Sequence, residues 1–224
     1  MNGEEIARHF RGRWLQGYAR GKLRSDPVYR ASFERIGASA LPLLDVGCGI
    51  GLHAFYLRER GYRAPILGLD VDEKKIAAGQ AVAAAHYRDV ILRTGDGAAM
   101  PEFSGNVSLL DVLHYFSSDA QNTLLAGLAQ RTASGGWCLI RTTPRDGSWL
   151  FRATQTLEWF ARGIAWMTRP AVAFPALASI AEAFPEAEFS RDIGPLWGNT
   201  PFNSWLLAFQ RLSKTCHPEP AKDL

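Results

Sequence analysis

Four aspartates follow apolar runs in the first half of the chain: Asp45 in LLDVGCGIG, Asp70 in ILGLDVDEKKI, Asp96 in RTGDGAAMP and Asp111 in SLLDVLHYF. Behind Asp45 stand Gly47, Gly49 and Gly51, which let the backbone turn tightly and leave room for a ligand against the main chain. A nucleotide cofactor suits such a turn, and the spacing discriminates between two kinds. The dinucleotide pattern G-x-G-x-x-G, started at Gly47, needs a glycine at position 52, which is Leu52. An acid at Asp45 is a poor neighbour for a diphosphate and a good one for a sulfonium and an amino group, which favours S-adenosylmethionine. Asp70, 25 residues beyond Asp45, has the chemistry to accept both hydroxyls of a ribose.

His114, three residues past Asp111 in DVLHYF, is the histidine expected at the mouth of such a site. Imidazole titrates in the range a general base needs, and Tyr115 beside it is placed to orient a substrate or close on the cofactor. The alternative for His114 is packing against the cofactor without proton transfer. His9, His53, His86 and His217 are scattered and read as helix-surface, packing or tail residues. No pair of acids followed by asparagine suggests a magnesium site, so no metal is expected.

These residues need strands to hold them. LPLLDV (41–46), APILGLD (64–70), DVILRT (89–94), NVSLLDV (106–112) and GWCLIRT (136–142) are short, apolar and partly β-branched, as buried strands are. Helix-length segments alternate with them: HAFYLRERG stops at Gly61, DEKKIAAGQAVAAAH opens with acids, and SDAQNTLLAGLAQRTASGG begins at a Ser-Asp cap. Alternation of this kind predicts an α/β, doubly wound, Rossmann-like sheet, mostly parallel, whose ligands sit at the carboxyl ends of the strands. After residue 143 the rhythm changes to an aromatic helix at 148–168, a helix near 175–184, and closing strands in EAEFSRDI and NSWLLAFQRL.

Composition sets limits on the rest. At 224 residues and 47% hydrophobic, the chain suits one packed unit. We expect it to span 1–212, with basic lid helices over 1–38, a cofactor-binding core over 40–145, cap helices over 146–185, closing strands over 186–212 and a disordered tail at 213–224. Cys48, Cys138 and Cys216 lie far apart without a CxxC pair, which suggests neither disulfides nor zinc, and Cys48 reads as a small buried spacer. MNGEEIARHF lacks the apolar centre of a secretory signal, and no apolar run approaches the about 18 residues of a membrane span. A cytoplasmic location is expected. The net charge of +3 is local, since residues 1–35 carry eight bases against four acids.

LLDVGCGIG, with the strand-end acids after it, resembles the first motif of class I S-adenosylmethionine-dependent methyltransferases. The resemblance covers about residues 40–145, and the two closing strands fit the family's seven-stranded sheet with an antiparallel C-terminal hairpin. It implies S-adenosyl-L-methionine as cofactor, held by Asp45, Gly47, Gly49, Gly51, Asp70 and its neighbour Val71, Asp96 and its neighbour Gly97, and Asp111. Asp96 matches the acid that accepts from the adenine amino group, and Asp111 stands beside the reactive methyl. Each has a structural alternative as a turn cap or backbone partner.

The flanks bear on the acceptor. In SWLFRATQTLEWFARGIAWMTRP the polar residues Arg152, Gln155, Glu158 and Arg162 form one stripe, and Trp149, Phe151, Trp159, Phe160, Trp166 and Met167 fill the rest. The preferred reading is a cap over a small hydrophobic or aromatic acceptor; core packing and membrane-surface contact are the alternatives. Ile6, Phe10, Trp14 and Tyr18, each four apart among arginines, predict one amphipathic basic helix, a lid or a dock for an acidic acyl carrier protein or anionic lipid headgroups. Tyr18, Lys22 and Arg24 are its candidates for the cofactor's carboxylate. Eight bases on one segment, with the aromatics on its apolar stripe, argue against a nucleic-acid partner. HFRGRWLQGYARGKLRSDPVY and WGNTPFNSWLLAFQR are similar to small methyltransferases of bacterial aryl-polyene and polyketide pigment pathways, which implies a hydroxyaryl acceptor, free or carrier-bound. A noncatalytic scaffold with the methyltransferase fold and a dinucleotide oxidoreductase remain as alternatives.

Overall fold

The computed structural model describes residues 3–145, 172–197 and 203–213. The aromatic helix expected over 148–168 and residues 214–224 of the tail lie outside the described residues. Three helices come first, α1 (Gly3–His9), α2 (Arg13–Ser25) and α3 (Val28–Ile36). The alternating core follows as β1 (Leu43–Val46), α4 (Leu52–Arg60), β2 (Ile66–Asp70), α5 (Glu73–His86), β3 (Val90–Thr94), β4 (Asn106–Leu110), α6 (Ser118–Arg131) and β5 (Trp137–Thr142). A short helix α7 (Leu177–Glu182) and the strands β6 (Phe189–Pro195) and β7 (Trp205–Arg211) complete the chain.

The seven strands form one sheet in the order β3-β2-β1-β4-β5-β7-β6. β1 to β5 run parallel, and β7 is antiparallel to both β5 and β6. The strand order reverses beside β1, where the chain moves outward to β2 on one side and β4 on the other, and this switch point opens the crevice a ligand needs. Central parallel strands are covered on both faces, hence their unbroken apolar sequences. Leu43 and Leu139 face a cluster with Ile6, Phe10, Phe55 and Ile76, whereas Leu44, Cys138 and Ile140 face one with Leu124, Leu128, Phe184 and Phe209.

Local chemistry sets the helix ends. Asp72 caps α5 by accepting from the Lys74 and Lys75 amides, Ser117 caps α6, and α4 stops at Gly61, whose amide donates to Arg58 O. Two expectations are corrected. The four-residue stripe does not form one helix, because the backbone at Gly12 takes a φ of 88° and separates α1 from α2. Ile6 and Phe10 are therefore buried, while Trp14 on α2 is 51% exposed. The fourth strand stops at Leu110 rather than 112, because Asp111 has a φ of 61° and leaves the extended conformation.

Candidate functional site

A cavity of about 400 Å³ opens at the carboxyl ends of β1, β2, β4 and β5, with α2 and α3 along one side. It brings together Asp45, Gly47, Gly49, Asp70, Val71, Asp96, Gly97, Asp111, His114 and Tyr115 from the sequence-predicted set. Gly51 does not line it: a Cβ there would meet Leu92 Cδ1 at 2.8 Å, so this glycine serves the packing of α4 against the sheet. Arg24 is exposed and also stands off the wall, unlike Tyr18 and Lys22.

The turn after β1 is stitched to its neighbour, since the Gly47 and Cys48 amides both donate to Leu69 O, at 2.7 and 2.9 Å. Gly47 has a φ of 75°, and a Cβ would lie 2.2 Å from Val112 Cγ2; Gly49 has a φ of 57° and faces open space. The Gly49 amide donates to Asp70 Oδ2 at 2.8 Å, and the Asp72 amide donates to Asp70 Oδ1 at 2.9 Å. Each Asp70 oxygen keeps a second lone pair for a ligand hydroxyl. Asp96 accepts from the Ala98 amide at 2.9 Å, and the apolar Val71 is 42% exposed on the wall.

Asp45 lies deepest. It is 2% exposed, and its Oδ1 accepts from the Ser108 hydroxyl at 2.6 Å. Its Oδ2 is buried with no hydrogen-bond partner among the described residues. A buried carboxylate oxygen left bare is costly, so this atom is set for a donor that a ligand brings.

Asp111 is committed to protein partners. Arg141 Nη1 donates to Asp111 Oδ2 at 2.8 Å and to Asp26 Oδ2 at 2.6 Å, Arg141 Nη2 donates to Ser204 Oγ, and Lys22 Nζ lies 3.0 Å from Asp26 and 3.8 Å from Asp111. Burial pushes the Asp26 carboxyl up, but the charges of Arg141 and Lys22 and the Val28 amide outweigh it and hold the group below its ordinary value. Burial opposes the Lys22 ammonium as well, and Asp111 and Asp26 reverse the balance and keep it charged. Asp26 and Arg141 come from distant segments that sequence spacing does not join; an arginine at the end of the apolar strand WCLIRT was the available signal.

His114 is 5% exposed, deeper than a position at the mouth. Its ring packs on Tyr115 and Phe174 with centroids 4.3 and 5.9 Å away, its carbonyl accepts from the Val172 amide, and its Nδ1 has no partner among the described residues. Burial lowers its pKa, with a smaller opposing influence from Asp111. His53, grouped with His9, His86 and His217 as helix-surface, packing or tail residues, is buried and hydrogen-bonded, its Nε2 lying 2.6 Å from Ser32 Oγ.

The lining residues include five carboxylates (Asp26, Asp45, Asp70, Asp96, Asp111) against three basic side chains (Lys22, Lys75, Arg141). Asp26, Asp111, Lys22 and Arg141 neutralise one another, and Lys75 lies 3.6 Å from Asp72, so Asp45, Asp70 and Asp96 leave the wall negative. Such a wall attracts a cation with amino and hydroxyl groups and repels a diphosphate. Among the described residues no cluster of potential metal ligands is present, and no helix is long and apolar enough to cross a membrane.

Residues 43–136 match the family model described as a methyltransferase domain. The fold is similar to that of magnesium protoporphyrin IX methyltransferase (ChlM) from Synechocystis PCC 6803 with bound SAH, at 20% identity and a TM-score of 0.65, over 90% of this chain and 89% of that one. The same enzyme with bound SAM matches at 18% identity and a TM-score of 0.63, over 90% of this chain and 85% of that one. An O-methyltransferase family protein from Burkholderia thailandensis matches at 19% identity and a TM-score of 0.65, over 95% of this chain and 64% of that one. Comparison with curated proteins gave no match.

Proposed function

We propose that the chain is a class I, S-adenosylmethionine-dependent methyltransferase, in keeping with the domain match over residues 43–136 and the shared fold, and that it methylates a small hydrophobic or aromatic acceptor bearing an ionisable hydroxyl. The observation that carries the reading is the bare, buried Asp45 Oδ2 beside a glycine turn, on a wall with excess negative charge. When bound, S-adenosylmethionine supplies a methyl carbon activated by a positive sulfur. In this reading Asp45 accepts from the ligand's ammonium, Gly47 and Gly49 leave the backbone open to it, and Asp70 accepts from ribose hydroxyls. Val71 and Gly97 flank the adenine, whose amino group Asp96 accepts from. Lys22 is the cation on hand for the carboxylate, with Asp111 and Asp26 keeping it charged.

His114 is the candidate base. Burial keeps its imidazole neutral near pH 7, and the bare Nδ1 is available to take a proton from an acceptor hydroxyl. Holding that hydroxyl in line with the methyl carbon is the larger part of the catalysis, and Tyr18, Tyr29, Tyr115 and Phe116 on the wall suit a flat apolar acceptor. An acyl carrier protein delivering a hydroxyaryl unit would meet the basic α2, where Arg13, Arg20, Lys22 and Arg24 lie. The test is transfer from methyl-labelled S-adenosylmethionine to a panel of phenolic acids, free and carrier-bound, with small-molecule and protein fractions counted separately. Label in either fraction supports the proposal. No label on any member, with S-adenosylhomocysteine still bound, refutes it in favour of a scaffold.

A further inference from the structure

Resting on that reading of the cofactor pocket, we propose that His53 is a positioning residue that aims the Asp45 carboxylate at the ligand's ammonium and ties this aim to the docking of α3. Four buried polar side chains from four elements form the link: Ser32 on α3, His53 on α4, Ser108 on β4 and Asp45 on β1, none more than 4% exposed. Ser32 Oγ lies 2.6 Å from His53 Nε2, and His53 Nδ1 lies 3.4 Å from both Asp45 Oδ1 and Ser108 Oγ. Ser108 gives its one proton to Asp45 Oδ1 at 2.6 Å.

The proton inventory assigns the tautomer. Nδ1 faces a carboxylate oxygen and a hydroxyl oxygen whose proton is already spent, so both are acceptors there and Nδ1 carries the hydrogen. Nε2 is then the acceptor for the Ser32 hydroxyl 2.6 Å away. Oδ1 of Asp45 thus accepts from Ser108 and has the Nδ1 edge of His53 3.4 Å away on its other side, with Oδ2 left bare. A carboxylate held in this way meets an incoming ammonium without reorganising, which is where binding strength is gained. Ser32 sits at the middle of α3, and the first turn is held by Asp26, which accepts from the Val28 amide and pairs with Arg141. α3 is therefore fastened to the cavity at its start and at its middle by buried polar contacts.

The experiment compares the calorimetric affinities of S-adenosylhomocysteine and its analogue lacking the α-amino group, in the parent, His53→Leu, His53→Asn and Ser32→Ala. The parent is expected to prefer the amino-bearing ligand by about tenfold or more, the size of a charge-assisted hydrogen bond. His53→Leu shrinks that preference to about twofold while leaving the analogue's affinity in place, and His53→Asn, whose amide reaches the Nδ1 position, restores most of it. An unchanged preference, or equal weakening of both ligands, overturns the proposal. A parent that binds neither ligand fails the cofactor reading itself. Should His53→Leu not fold, Ser32→Ala carries the same comparison. Long-range ¹H–¹⁵N spectra of the parent are expected to show His53 protonated at Nδ1 and bare at Nε2, and the opposite tautomer also overturns the proposal.

Discussion

Alanine at Gly47 and alanine at Gly49 are chemically the same change two residues apart, and the structure predicts opposite consequences. At Gly47 the φ of 75° is left-handed, and a Cβ would lie 2.2 Å from Val112 Cγ2 and 3.2 Å from its Cβ and Cγ1, so the whole Val112 side chain must move. A left-handed L-residue costs about 1–2 kcal/mol and overpacking about 1–3, for a combined loss of about 2–5 kcal/mol. In a chain of this size each kcal/mol shifts Tm by about 2–4 °C, so Gly47→Ala is expected to lower it by roughly 4–20 °C. At Gly49 the φ is 57° and no atom lies within 4 Å of a Cβ, which leaves only the backbone cost of about 1–2 kcal/mol. On the proposed reading that Cβ projects into space the ligand takes, so affinity for S-adenosylhomocysteine is expected to fall about tenfold or more, the scale of one lost favourable contact plus displacement. Scanning calorimetry and titration calorimetry on the two variants separate the effects. Val112→Ala combined with Gly47→Ala should recover about half of the thermal loss, because Val112 is only half-buried and its truncation costs little. A Gly47→Ala variant melting within about 2 °C of the parent, or a Gly49→Ala variant binding as the parent does, would refute this account of the turn.

Asp26→Asn leaves the buried Arg141 guanidinium with Asp111 as its remaining carboxylate, at a cost of about 3 kcal/mol, which thermal melting reads. Because Asp26 titrates below its ordinary value of 3.8, its stabilisation is complete above that value and disappears as the pH falls through the lower folded value. The gap in Tm between parent and variant should therefore narrow in acid; a gap constant from pH 7 to pH 3 contradicts the ion pair. His114→Gln should lower kcat about a hundredfold with cofactor affinity changed less than about twofold. The parent's acid limb in kcat/KM should lie below the ordinary imidazole value of 6.5, since burial lowers this pKa, and it should vanish in the variant.

All seven strands are legible in the sequence because buried strands need uninterrupted apolar residues, and the expected runs overlap the observed elements from β1 to β7. The glycine turn and the acids at the strand ends are legible for the same local reason, each being a strand end with its following turn. Their gathering into one cavity follows from the parallel order, which puts every strand's carboxyl end on one side of the sheet. The break at Gly12 was hidden, because a four-residue stripe continues through it and only the backbone's φ separates buried Phe10 from exposed Trp14. The pairing of Asp26 with Arg141, 115 positions apart, was hidden as well. So was the deep burial of His53, which looked like any other helical histidine.

The chain's local pattern therefore determines which elements form and which carboxylates stand at their ends, since backbone conformation and apolar periodicity are properties of near neighbours. Which of those carboxylates is left bare for a ligand is decided by packing. Asp111 is neutralised by Arg141 and by Lys22, which α2 brings over the sheet, whereas Asp45 meets Ser108 and the His53 ring that Ser32 of α3 holds, and keeps one oxygen unpartnered among the described residues. Electrostatic neutralisation depends on distance in space, and only the tertiary structure sets that distance.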